Sequence, residues 1–178
     1  VGLLSTLLLQ GFFYILHLRA GLLVQLSDLQ YGSLQEYWFR STTAATVADY
    51  GDGKSIFRGN EHEFSGLTIA PLEASIGVLA SYAWQLQYNG GMTTLRYRKG
   101  DGDYWEVATW LGERGSFRYM DTSGKWYNQW PPQFFSNNIP AQLPAIILLQ
   151  GQRRQLPTTW IVQLMGNKLT PRDSQANF

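Results

Sequence analysis

Residues 80–110 read ASYAWQLQYNGGMTTLRYRKGDGDYWEVATW, and this stretch decides the fold class of the region around it. Tyr82 and Trp84 alternate with small and polar side chains, which is the period-2 pattern of a strand with one buried face. The Asn-Gly-Gly run at 89–91 separates this strand from a second alternating run, a combination that predicts a β-hairpin. A further turn at 100–103 leads into a third strand, so the stretch predicts an antiparallel meander.

Short strands are also predicted on both sides of the meander. Each candidate is apolar or alternating and is bounded by Gly, Pro, Asn or Asp. The candidates are Ser55–Arg58, Glu63–Leu67, Leu67–Ala70, Ser116–Met120, Ala145–Gln150 and Thr159–Met165. Together they predict one antiparallel β head over residues 49–178, and about 130 residues are ample to bury a core.

The chain before the head has a different pattern. Val1–Leu16 is uncharged and almost wholly apolar, and from His17 to about Ala48 the apolar residues follow helical spacing. The residues expected on the apolar face are Leu22, Leu26, Leu29, Tyr37, Ala44 and Ala48. The sequence therefore predicts a long helix over residues 1–48, packed on the head in an α+β domain.

The apolar segment Val1–Leu16 is short for a membrane span. As a helix it would be about 24 Å long, whereas the hydrocarbon core of a bilayer is about 30 Å thick. We interpret it as a truncated membrane stem. The alternatives are a buried or interfacial helix and the remnant of a signal peptide, although a basic start and a small-residue cleavage site are not seen.

The composition of the chain limits the classes of function that are possible. Charged residues and aromatic residues each make up 15% of the chain, which indicates a packed domain and argues against disorder. The formal net charge is +1, so no strong field favours nucleic acid. The chain has no cysteine, which excludes disulfides and thiolate metal sites.

Catalytic motifs are scarce. His17 follows the apolar segment. His62 lies between Glu61 and Glu63, and in a strand the side chains of these two glutamates would point to the face opposite that of His62. Nucleophile elbows and phosphate-binding glycine loops are absent. The sequence predicts a protein that is not an enzyme and that needs no metal and no cofactor.

A cluster of Trp126, Tyr127 and Trp130 has two interpretations. Exposed, these rings would form a stacking platform for a sugar. Buried, they would be part of the core, which is more common for aromatic residues in a β domain.

Several motifs in the head resemble one known family. The resemblance rests on the order of these motifs along the chain. The motifs are Phe57-Arg58-Gly59 with Phe64, the aromatic hairpin Tyr82–Tyr97, Phe117-Arg118-Tyr119 leading through Asp121 and Gly124 to Trp126, then Trp130-Pro131, and Leu143-Pro144 before the strand Ala145–Leu149. This order resembles the J-type minor pseudopilin of type II secretion systems, within the type IV pilin-like superfamily.

The resemblance implies a structural role. J-type pseudopilins join the I and K types at the tip of a pseudopilus and help to initiate fibre assembly and secretion. The resemblance implies a single-pass protein of the bacterial inner membrane, with its head in the periplasm and with other minor pseudopilins and pseudopilus subunits as partners. A minor pilin of a type IV pilus is an alternative. So is a membrane-anchored module that binds a glycan or a secreted substrate through Trp126 and Trp130.

Three groups of site residues are expected on this basis. The stem would pack in the membrane or in a helix bundle through Leu3, Leu7, Phe12 and Ile15. Leu22 and Leu26 would contact partner helices. The family-motif core consists of Phe57, Gly59, Phe117, Trp126, Trp130, Pro131 and Pro144.

Overall fold

The computed structural model describes residues 31–49, 51, 53–72, 75–132, 141–153 and 156–166. The chain divides into two compact units, Val1–Glu36 and Tyr37–Phe178. In the first unit the described residues, 31–36, are helical. All the described strands belong to the second unit. The predicted division into a stem of residues 1–48 and a head of residues 49–178 stays a prediction.

One helical segment and ten strands are described. The helical segment, α1, covers residues 31–44. The strands are β1 (Thr46–Val47), β2 (Arg58–Gly59), β3 (Glu63–Thr68), β4 (Ala80–Asn89), β5 (Met92–Lys99), β6 (Trp105–Leu111), β7 (Ser116–Met120), β8 (Trp126–Tyr127), β9 (Ile146–Arg153) and β10 (Leu156–Gln163).

The strands form two antiparallel sheets. In the first sheet the order is β1-β3-β4-β5-β6, and β2 also pairs with β3. In the second sheet the order is β10-β9-β7-β8. The predicted meander is confirmed as β4, β5 and β6. Its first turn consists of Gly90 and Gly91, whose φ angles of 58° and 81° lie in the region that favours glycine.

Aromatic side chains from both sheets form the core. Phe39, five residues before the end of α1, is fully buried among them. Its ring centroid lies 5.3 Å from that of Trp84 and 6.2 Å from that of Phe64, both in the first sheet. It also lies 6.2 Å from Phe117 and 5.6 Å from Trp160, both in the second sheet. One side chain therefore connects the packing of the two sheets.

The residues after Phe39 bond to both sheets as well. Met165, just beyond β10, donates its amide to the Ala44 carbonyl at 3.0 Å. Ile69, just beyond β3, donates its amide to the Ala45 carbonyl at 3.2 Å. The carbonyls that a helix leaves unpaired at its C-terminal end are thus used by the ends of two strands.

The predicted fold class is wrong. Strands make up 48% of the described residues, and they form two antiparallel sheets with one short helix. This differs from a long N-terminal helix packed on the sheet of an α+β head. The helix was expected to reach Ala48, but it ends at residue 44 because Thr46 and Val47 pair with β3 instead. The last four strands form a sheet of their own, which periodicity alone does not separate from the first.

One residue of the predicted apolar face is wrong, whereas Ala44 packs against the core and Ala48 is 1% exposed, as expected. Tyr37, expected on the apolar face, is 64% exposed, whereas the neighbouring Phe39 is buried. Buried Thr42 and Thr43 follow Phe39, so the buried face is partly polar at this end. A hydrophobic pattern therefore does not find it.

The expected single-pass location in the inner membrane is corrected too. Within the residues that the structure describes, no helix is long and apolar enough to cross a membrane. The helical residues 31–44 include Glu36, Arg40 and a run of hydroxyl side chains at 41–43, which lowers their hydropathy. The predicted stem segment Val1–Leu16 lies outside the described residues.

Candidate functional site

The predicted site residues of the stem cannot be placed. Leu3, Leu7, Phe12 and Ile15, together with Leu22 and Leu26, lie outside the described residues. Their roles in membrane packing and in contacts with partner helices stay predictions.

Four of the family-motif residues, Phe57, Gly59, Phe117 and Trp130, lie where the two sheets meet. Gly59 in β2 and Trp130 form an antiparallel bridge, with backbone hydrogen bonds of 2.8 Å and 2.7 Å in the two directions. Phe57 and Phe117 are buried nearby and both contact the ring of Phe64. We call this region the seam, defined by Phe57, Gly59, Phe117, Tyr119 and Trp130.

Gly59 is required at the seam for a steric reason. A Cβ atom at this position would lie 2.3 Å from the hydroxyl oxygen of Tyr119, closer than any real contact. That hydroxyl donates a hydrogen bond to the Asn60 carbonyl at 2.7 Å. Burial raises the pKa of Tyr119 well above its usual value, so the hydroxyl stays a neutral donor. The glycine therefore makes room for a tyrosine that bonds the next residue.

Trp130 is a core residue. It is 3% exposed, and its indole Nε1 donates to the Gln142 carbonyl at 3.0 Å. The Trp130–Pro131 peptide bond is cis, and Pro131 itself is exposed. Pro144 is buried just before β9. Of the two tryptophans proposed as a stacking platform, Trp130 does not expose a ring face.

Trp126, in β8, is half-buried. The guanidinium carbon of Arg118 lies 5.6 Å from the centroid of its ring. This is a cation–π contact that occupies one face of the indole. The three aromatic residues therefore do not form one exposed surface, and Tyr127 packs edge-on against Trp130 at 6.2 Å.

Among the described residues, no group of three or more His, Asp or Glu side chains is arranged to hold a metal ion. Glu61 and Glu63 are exposed at the start of β3, and His62 between them is half-buried.

A cleft of about 470 Å³ lies beside the seam, on the outer face of the first sheet. Its lining includes two arginines, Arg58 and Arg98, with Tyr104 between β5 and β6. The arginines belong to one row across the sheet, because Arg58 pairs with Ser65, Ser65 with Ala83, and Ala83 with Arg98. Residues opposite each other in paired strands share a face. We call this row the arginine row.

The arginine row points away from the core. Phe64 and Trp84 are the strand neighbours of Ser65 and Ala83, and both face the core. Successive side chains of a strand point to opposite faces, so the row faces outward. Ser65 and Ala83 are small, and the floor of the cleft between the two arginines is therefore low.

Tyr104 forms one wall of the cleft. Its ring centroid lies 4.8 Å from the guanidinium carbon of Arg98 and 5.3 Å from that of Arg96. Burial raises the pKa of Tyr104, and the charge of Glu63 adds to the rise, while Arg98 and Arg96 act in the opposite direction. The phenol is therefore neutral at physiological pH.

The sequence pattern found only part of this cleft. The alternation predicted the strand β5, but it did not connect Arg98 on the outer face of this strand with Arg58 or Tyr104. The missing signal is strand register. Arg58 and Arg98 become neighbours of one cleft only when β2, β3, β4 and β5 are paired in the observed register.

A scan against protein-family models and a search of curated proteins each found no match to this chain.

Proposed function

We propose that this chain is a non-enzymatic assembly subunit, of the kind implied by its resemblance to J-type minor pseudopilins. It helps to initiate a pseudopilus and so supports type II secretion, in contact with the I-type and K-type minor pseudopilins. The closest alternative in the same class is a minor pilin of a type IV pilus.

The proposal rests on the packing role of the motif residues. Gly59, Phe117 and Trp130 hold the two sheets together at the seam. Gly59, Trp130 and Pro131 also border the cleft beside the seam, but a glycine, a proline and a buried indole present no charged or reactive group there, as catalytic residues would. Motif residues that serve packing support a protein that works through the surface of a rigid head.

Exposed apolar side chains add to this support. The connection from β3 to β4 carries four large aliphatic side chains that are each at least 41% exposed: Ile69, Ile76, Val78 and Leu79. Single exposed apolar residues are ordinary, but several in one connection are typical of a surface that meets another protein. An assembly subunit needs such contacts.

The glycan-binding alternative has less support. It needs Trp126 and Trp130 as exposed stacking faces, whereas Trp130 is buried and one face of Trp126 is covered by Arg118. A sugar would then have one half-buried ring to stack on.

Deletion of the gene in its bacterial source tests the proposal. We expect exported enzymes to accumulate in the periplasm and to disappear from the culture medium, and a plasmid copy to restore their release. Normal release together with a loss of surface pili would move the chain to the type IV pilus alternative. Normal release and normal pili would refute the proposed function.

A further inference from the structure

The arginine row has an unusual layout for an exposed sheet face. Its two cations stand at its ends, and the two small side chains of Ser65 and Ala83 lie between them. Strands in a sheet are about 4.8 Å apart, so the Cα atoms of Arg58 and Arg98 are separated by about 14 Å. Both side chains line the same cleft. Two positive charges held at one cleft repel each other, which costs free energy.

The hydrogen-bond donors of these arginines are largely unused. In the described part of the chain, neither Arg58 nor Arg98 forms an ion pair or a hydrogen bond, and the Nε atom of Arg98 is buried without an acceptor. Arg96, on the same strand, donates through Nη1 to the Gln87 side chain at 3.0 Å, although its Nε atom, like that of Arg98, is buried without an acceptor. Because the Nε atom of Arg98 is inaccessible, a ligand with anionic oxygens would bond the Nη groups of Arg58 and Arg98, which have no acceptor in the described part of the chain.

The rest of the lining indicates what carries the anion. Asn60 and Gln129 line the cleft beside the arginines. The Oδ1 atom of Asn60 already accepts hydrogen bonds from the His62 and Glu63 amides, at 2.8 Å and 3.0 Å, so Asn60 offers a ligand its NH₂ donor. A second cleft of about 340 Å³ shares Asn60, Glu63 and Gln129 with the first and adds Glu61, His62 and Asn128. The two clefts therefore adjoin and form an elongated groove. An amide side chain has both a donor and an acceptor, as a peptide group has, so such a groove suits an extended backbone.

We infer that this groove binds an extended peptide segment of a partner protein, with the carboxylate of an acidic side chain placed between Arg58 and Arg98. A guanidinium fork matches a carboxylate in geometry and can bond it through two parallel N–H groups. The half-buried Ser65 leaves room beside Arg58 for the acidic side chain to enter, whereas Ala83 is only 3% exposed. This inference stands on the chemistry of the groove and does not require the proposed function to be correct.

Glu63 makes the two ends of the groove differ in charge. It lines both clefts, and Glu61 lines only the second, so negative charge is concentrated at the amide-lined end. An acidic residue of the ligand is favoured beside the arginines and is disfavoured beside Glu63. The segment that fits best has one acidic residue followed by neutral polar ones.

The test uses the full chain, labelled with ¹⁵N-arginine, and observes the Nε–H signals by NMR. The probe is a peptide of Gly and Ser with one central Glu, acetylated and amidated so that its termini carry no charge. The control probe has Gln in place of Glu. The variants are Arg58→Gln and Arg98→Gln, with Arg114→Gln as the matched control, because Arg114 is exposed and lies outside both clefts.

We expect the Glu peptide to shift the Arg58 and Arg98 signals to saturation and the Gln peptide to bind about tenfold more weakly. Arg58→Gln and Arg98→Gln should each weaken binding by a similar factor, whereas Arg114→Gln should leave it unchanged. Thermal unfolding shows that each variant is folded. Arg58 is exposed on a two-residue strand, so we expect Arg58→Gln to fold. Its affinity for the peptide then tests the inference even if Arg98→Gln unfolds.

Several results would overturn the inference. Equal affinity for the Glu and Gln peptides would exclude recognition of the carboxylate. The same shifts with acetate or phosphate at equal affinity would reduce the groove to a small-anion site. Tighter binding of a single-stranded oligonucleotide would replace the peptide by nucleic acid, and no saturable shift with any probe would exclude a ligand site.

Discussion

Phe39 is fully buried and contacts rings from both sheets, so its loss affects two sheets at once. We expect Phe39→Ala to lower the free energy of unfolding by about 3–5 kcal/mol, because it removes a large side chain and leaves a cavity. Urea denaturation followed by far-ultraviolet circular dichroism measures the change. The control is Tyr37→Ala at a mostly exposed position, which should stay within about 0.5 kcal/mol of the wild type. A loss below about 1 kcal/mol for Phe39→Ala would contradict its place between the sheets.

Asp121 begins the turn between β7 and β8. Its Oδ1 atom accepts hydrogen bonds from the Ser123 hydroxyl at 2.6 Å and from the Lys125 amide at 3.0 Å, and Oδ2 accepts from the Tyr127 hydroxyl at 2.9 Å. The Ser123 hydroxyl contributes most to holding the pKa of Asp121 at about 2. The family motif thus places this aspartate at a turn that its carboxylate stabilises.

An NMR titration of the Asp121 carboxyl group tests this arrangement. We expect a pKa of about 2 in the wild type and a higher pKa in Ser123→Ala, with Thr122→Ala as a control that leaves it unchanged. The folded-state pKa lies below the unfolded value of about 3.9. The stabilisation is therefore complete above pH 4 and is lost as the pH falls through about 2. It is small because the carboxylate is exposed to solvent. An unchanged pKa in Ser123→Ala would contradict the role of the hydroxyl.

At the scale of elements, the β4–β5 hairpin offers the clearest test. Gly90 and Gly91 both have positive φ, and a Cβ atom at either position would meet no atom within 4 Å. Any effect of substitution there is therefore a backbone effect. Gly90→Asn should keep the stability or raise it slightly, because Asn is favoured at the first position of this turn type. Gly91→Ala should cost about 1–2 kcal/mol. Thermal unfolding of both variants compares them, and an Asn variant less stable than the Ala variant would contradict the turn.

The same hairpin shows what can be predicted for single elements. Alternation from Tyr82 to Tyr97 with a glycine turn determined both strands, because a half-buried strand must alternate. The two-residue strands β1 and β8 were missed, since two residues carry no period. Thr46 was assigned to the helix for this reason, although its strand pairs with β3.

At the scale of the whole molecule, sequence reasoning predicted a β head but not its two sheets. The assignment of β7 and β9 to a second sheet depends on Phe117 pairing with Leu149, a contact between distant parts of the chain. The groove depends on register in the same way, because Arg58 and Arg98 are joined only through the strands between them. The seam was easier to predict from the sequence, since its residues were already selected as a motif. The steric role of Gly59, however, becomes visible only with the position of Tyr119.

Sedimentation velocity of the purified chain, mixed with the heads of the I-type and K-type minor pseudopilins, tests the assembly function most directly. A β protein of similar mass serves as a control for non-specific association. The proposal predicts a faster-sedimenting species that contains all three chains and that is absent from the control mixture. If the chain sediments as a monomer in every mixture, while its tryptophan emission shifts on addition of an oligosaccharide, the assembly function is contradicted.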